Sequence, residues 1–191
     1  CTLADIWLGK VNPSGKLNVS FPRSTGNTPC FYNHFVTDRE ESFDQPGTPE
    51  EPKGHYIFDK PEPLWNFGHG KSYTTFDYVD CALSDTLLVA SDTLKVSVTI
   101  KNTGRRDGKE VVQLYVRDKV STVATPIQQL KAFQKVLIKP GESQCVELSL
   151  PIAELALYNA KMEEVVEPGD FEIQIGAASD DIRFKKTITI N

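Results

Sequence analysis

No apolar run in this chain approaches the length of a membrane span. Positive charge is not in excess either. The net charge of −5 argues against nucleic acid, whose phosphates need a basic surface. Neither a membrane nor a nucleic acid is therefore expected as a partner. Cysteine is scarce and scattered. Cys1, Cys30, Cys81 and Cys145 form no C-x-x-C pair, which excludes a local zinc knuckle or thioredoxin-type motif. Spacing leaves a disulfide open, and separate structural thiols are the preferred reading. The three histidines, His34, His55 and His69, stand isolated, without metal-ligand spacing. No metal or cofactor is expected. The opening residues, "CTLADIWLGK", lack the basic stretch and long apolar run of a signal peptide.

One apparent nucleotide motif dissolves on inspection. Gly70-Lys71-Ser72 matches the end of a phosphate-binding loop, but Trp65 occupies the place of the required first glycine. The flanks disagree too. "DKPEPLW" carries two prolines, and "YTTFDYV" is rich in aromatic and β-branched residues. A glycine turn entering a strand is the better reading.

Turn and apolar signals alternate over the first 35 residues. "LADIWLG" reads as the end of an amphipathic helix, with Leu3, Ile6 and Trp7 on one face and Gly9 as a left-handed cap. The Asn12-Pro13-Ser14-Gly15 turn then leads to Leu17, Val19 and Phe21 at period two, which predicts a strand. Asn18-Val19-Ser20 is a formal glycosylation sequon. Residues 36–63 are rich in acids and proline and predict a surface loop. Its carboxylates (Glu40, Glu41, Asp44, Glu50 and Glu51) are read as solvated rather than as an acid/base pair.

From about residue 74 the pattern is β throughout. Leu94, Val96, Val98 and Ile100 form one inward set, and Val112, Leu114 and Val116 another. Val146, Leu148 and Leu150 follow, then Phe171, Ile173 and Ile175. "IAELALYNA" has room only for a short helical turn. Short strands between turns such as "NTG" and "KPGES" predict an immunoglobulin-like, fibronectin-type β-sandwich over 76–191. Tyr115 alternates with the buried set of its strand, so it is expected at the surface, as a candidate carbohydrate contact.

Six ordered stretches carry a family likeness: "NPSGKLNVSFPRS", "FYNHF", "LWNFGHGKSYTTF", "VTIKNTGRRDGKEVVQLYVRD", "LKAFQKVLIKPGES" and "EPGDFEIQIGAAS". Together they resemble the C-terminal end of glycoside hydrolase family 3, the β-glucosidase and β-xylosidase family. The family usually has an aromatic and an apolar residue where this chain has His69 and Lys71. The resemblance implies a mainly β chain: an incomplete α/β segment and linker over 1–75, then a fibronectin type III-like sandwich over 76–191.

The chemistry implied is that of a retaining exo-β-glycosidase, which needs two carboxylates about 5 Å apart across the sugar. In the family both lie upstream of anything matched here, so no catalytic residue is assigned in this chain, and alone it is expected to be inactive. The implied partners are the N-terminal barrel and α/β domains and a β-linked glucoside or xyloside; a homo-oligomer is allowed. A periplasmic or secreted location fits such enzymes. The sandwich is expected to have a structural, domain-packing role, with a carbohydrate-binding module as the alternative. Gly68 and Gly70 are expected to turn the linker, and Trp65, Phe67 and Tyr73 to pack it. Tyr32, Asn33, His34 and Arg39 lie after a predicted strand and are the candidates for the edge of a substrate site.

Overall fold

The computed structural model describes residues 3–35 and 62–191. The first element is α1 (Leu3–Trp7), followed by a 3-10 turn at Thr25–Asn27. Ten strands follow among the described residues. They are β1 (Phe76–Leu83), β2 (Leu87–Leu88), β3 (Thr93–Asn102), β4 (Gly108–Asp118), β5 (Gln129–Ile138), β6 (Ser143–Pro151), β7 (Leu157–Tyr158), β8 (Glu164–Val165), β9 (Gly169–Ala178) and β10 (Asp181–Ile190). One sheet has the order β1-β3-β6 and the other β2-β10-β9-β4-β5, with β7 and β8 as a small hairpin. The pairings are antiparallel, apart from that of β10 with β2. The predicted mainly β sandwich is what forms.

The core is built from the period-two stripes. Val98 faces Val146, Val96 faces Leu148 and Leu94 faces Leu150 across the β3–β6 pair. These side chains meet Val112, Leu114, Ile173 and Ile175 of the other sheet in one buried cluster. Each fully buried aliphatic side chain contributes about 1.5–3 kcal/mol. Polar residues between them, such as Lys95 and Glu147, stay exposed. "IAEL" makes a 3-10 turn at Ile152–Leu155, as its length suggested.

Asn102 closes β3 and is wholly buried. Its amide donates to the carbonyls of Ile138 and Arg106, both at 2.8 Å. Its oxygen accepts from the Thr74 hydroxyl at 2.6 Å and from Gly104 N–H at 3.0 Å. A buried amide is tolerated only when satisfied in this way. Here it ties both sheets to the residues that enter β1.

Two expectations for the first segment meet different ends. α1 stops as foreseen, with Gly9 at φ +68, inside the left-handed region. "LNVSF" does not form a regular strand. Leu17 N–H donates to His69 O and Gly68 N–H to Leu17 O, both at 2.8 Å, and Phe21 bridges to Trp65. Between these points the ladder breaks, because Phe67 N–H goes to the Ser20 hydroxyl at 3.2 Å instead of to a carbonyl. The result is an interrupted ribbon. It is paired with 64–69, not left as an open edge.

Candidate functional site

The face that distinguishes this sandwich is the outer side of its five-stranded sheet. Val111, Gln113 and Tyr115 of β4 and Gln174 of β9 point away from the core, yet all four are buried. The ribbon of residues 17–21 and 64–69, together with Tyr32, lies against this face at Gln113 and Tyr115.

Tyr115 corrects the sequence reading. It was expected at the surface and is 0% exposed. Its ring meets the Tyr32 ring edge-on at 6.0 Å, and Tyr32 stacks on Phe67 at 4.1 Å. Its hydroxyl donates to the Gln113 side-chain oxygen at 2.6 Å, and the Gln113 amide donates to Ala177 O at 2.6 Å. Burial pushes the Tyr115 hydroxyl above its ordinary pKa, so it remains a donor. A signal was available in the sequence. "EVVQLYV" places apolar residues, Val111 and Tyr115, on the second parity as well as the first, the mark of a strand buried on both faces.

The linker glycines have separate roles. Gly68 has φ +82, and a side chain there would press on the Gln113 amide and on the Ala178 Cα. At Gly70 a Cβ would meet Gly15 O and the Lys16 side chain. The false phosphate motif is thus a close backbone crossing. Ser72 donates to the Asn12 side-chain oxygen at 3.0 Å, and Tyr73 N–H donates to the same oxygen at 2.8 Å. Asn12 in turn donates to Asp107 O at 2.9 Å, which joins the predicted Asn-Pro turn to the start of β4. Arg106 reaches Gly9 O at 2.6 Å and lies over the Tyr73 ring at 5.9 Å.

An ion pair also crosses from this segment into the sandwich. Lys16 Nζ lies 3.2 Å from Glu110 and donates to Ala177 O at 3.0 Å. The Tyr78 hydroxyl donates to the same Glu110 oxygen at 3.3 Å. Burial, with the Glu110 charge adding to it, drives the Tyr78 hydroxyl far above the usual tyrosine range.

The candidates for a substrate edge separate in space. Tyr32 is half-buried, and its hydroxyl accepts from Leu130 N–H at 3.2 Å, so it docks the segment onto β5. Asn33 and His34 are exposed, and His34 O accepts from Ile127 N–H at 2.9 Å. Arg39 lies outside the described residues, as do the five acids singled out in 36–63. The first segment also leaves large apolar side chains open: Leu3, Trp7, Val19 and Phe21 are all exposed. Among the described residues Cys30, Cys81 and Cys145 are free thiols, and no group of three or more acidic, histidine or cysteine side chains is placed to hold a metal.

Residues 110–179 match the fibronectin type III-like domain family. Over 93% of its length the chain is 39% identical to a periplasmic β-glucosidase of Salmonella typhimurium. Over 95% it is 41% identical to a β-xylosidase of Formosa agariphila. Among solved structures, a β-glucosidase from Listeria innocua in complex with glucose superposes with a TM-score of 0.85 at 37% identity, covering 98% of this chain and 26% of that one. The chain spans only about a quarter of the two curated relatives, 23% and 24% of their lengths. By sequence and by fold, it corresponds to the C-terminal region of glycoside hydrolase family 3 enzymes, with a fibronectin type III-like domain within it.

Proposed function

We propose that this chain is the C-terminal part of a retaining exo-β-glycosidase of the β-glucosidase type, acting on β-linked glucosides or xylosides. In this reading residues 76–191 are the fibronectin-like domain, and residues 1–75 are the end of an α/β domain with its linker. The barrel and the rest of the α/β domain are the partners, and the nucleophile and the acid/base reside on them. Tyr32, Asn33, His34 and Arg39 belong to the margin of the sugar site, with Tyr32 also holding the segment to the sandwich. A periplasmic or secreted location goes with this reading, supported by the relative named periplasmic.

The observation that carries the proposal is that the first segment is both docked and apolar at its surface. It is locked onto the sandwich through Tyr32, Phe67 and Gly68. It also exposes Leu3, Trp7, Val19 and Phe21, apolar side chains that a further domain would cover. The sandwich therefore acts as a buttress for a domain edge. Tyr115, the aromatic that pointed to a flat polysaccharide-binding row, is buried and supports the buttress instead.

The test is an assay with aryl β-glucosides and β-xylosides. The purified 191-residue chain should show no turnover, and the same chain extended by the upstream part of its reading frame should hydrolyse at least one of them. Turnover by the 191-residue chain alone that is lost on mutating an acid in 36–63 would overturn the reading.

A further inference from the structure

A cleft opens at the end of the sandwich where β4 and β6 finish and β5 and β9 begin. About 60 Å³ of this half-open cleft is sheltered, room for the edge of one small ring. Val116 and Phe171 form its apolar floor. Asp118, Thr125, Gln129 and Lys131 line it with polar groups.

These four groups are not used up by the fold. Asp118 accepts from Val120 N–H at 3.1 Å through one of its two oxygens. Lys131 Nζ donates to Glu154 O at 2.7 Å, which leaves two of its three N–H groups. The Gln129 amide and the Thr125 hydroxyl have no hydrogen-bond partner among the described residues. No ion pair among the described residues joins Asp118 to Lys131. Burial raises the Asp118 carboxyl and lowers the Lys131 ammonium, so both charges have lost water without gaining full replacement.

From this arrangement we infer that the cleft is a binding subsite for one neutral sugar unit. With one carboxylate, Asp118, and one ammonium, Lys131, the lining of the cleft carries no net charge, so it selects neither an anion nor a cation. A neutral ligand that offers hydroxyl donors to the carboxylate and hydroxyl acceptors to the ammonium satisfies both. Adjacent hydroxyls of a pyranose do this, with Gln129 and Thr125 completing the set. The C–H edge of the ring rests on Val116 and Phe171, which excludes water there.

The experiment is an amide chemical-shift titration of the 191-residue chain with methyl β-glucoside. The expected result is saturable shifts at Val116, at Thr125 and Gln129, and at Leu155–Leu157. Asp118→Asn and Gln129→Ala should each weaken binding about tenfold, the loss of roughly one hydrogen bond to a charged or buried group. The Asp118→Asn side chain keeps an oxygen that can accept from Val120 N–H, and Gln129 begins a strand at a half-exposed position, so at least one variant keeps the fold. Absence of saturable shifts, shifts that map away from the cleft, or unchanged affinity in the folded variants overturns the proposal. The titration reads binding by this chain alone, so its outcome is independent of whether the parent enzyme hydrolyses glucosides.

Discussion

The two sheets of this sandwich share a core but differ on their outer faces. Outside the three-stranded sheet stand Lys95, Lys101, Cys145, Glu147 and Ser149, all exposed. Outside the five-stranded sheet stand Val111, Gln113, Tyr115 and Gln174, all buried. The first face meets water and the second meets the chain's own N-terminal segment. The difference shows how one fold can present a solvated side and a docking side. A layer of backbone from far upstream in the sequence turns an ordinary antiparallel sheet into a doubly covered one.

The sharpest way to break this contrast is to truncate one residue on each face. Tyr115→Ala should cost about 3–5 kcal/mol in urea unfolding, because it empties a packed site beneath Tyr32 and leaves Gln113 short of a partner. Lys95→Ala should cost less than about 0.5 kcal/mol. Equal costs would mean that the N-terminal segment does not cover the sheet in solution.

Next in size is Gly68→Ala. A non-glycine residue at φ +82, crowded by Gln113, should cost about 1–3 kcal/mol. The loss should be local. Ser179 N–H, which donates to Phe67 O, should exchange much faster, while the amides of β3 stay protected. Uniform loss of protection would show that the segment and the sandwich unfold as one unit.

Lys16→Met should follow, at about 1–3 kcal/mol, since it leaves the buried Glu110 with Tyr78 alone. The double variant with Glu110→Gln should recover part of that loss. A double-mutant cycle with no coupling would show that the ion pair does not help to hold the first segment to the sandwich.

The smallest effect concerns Glu167, on the solvated rim. Its carboxylate accepts from the Thr122 hydroxyl and from Thr122 N–H, and these bonds hold its pKa below the ordinary value. A depressed folded-state pKa contributes stability above the unfolded value and loses it as pH falls through the folded one. The Thr122 amide shift should therefore titrate with a midpoint below that of an unperturbed glutamate. A midpoint at or above it would contradict the bond.

The inward stripes were legible because a strand repeats every two residues. Leu94 to Ile100 and Val146 to Leu150 could be assigned from spacing alone. Alternation says which residues lie on opposite sides of a strand, but not what covers the second side. Tyr115 was misplaced for that reason: its cover comes from Tyr32 and Phe67, far away in sequence. "LNVSF" was misjudged because periodicity cannot see that the Ser20 hydroxyl will take a backbone donor. The cleft residues gave no signal, since Asp118 on β4 meets Gln129 and Lys131 on β5 only when the two strands pair.

Gly68 also restricts how this protein can evolve. A Cβ at that position would press on two neighbours, the Gln113 side-chain amide, with its nitrogen at 2.9 Å, and the Ala178 Cα at 3.0 Å. A second mutation can shorten Gln113 and relieve the first contact. Nothing of the kind can relieve the second, because the Cα belongs to the backbone of β9, which is fixed by its pairing with β10. Gln113 is itself held by its bonds to Tyr115 and Ala177 while glycine stays at 68, and no side-chain change at 113 makes a larger residue at 68 acceptable.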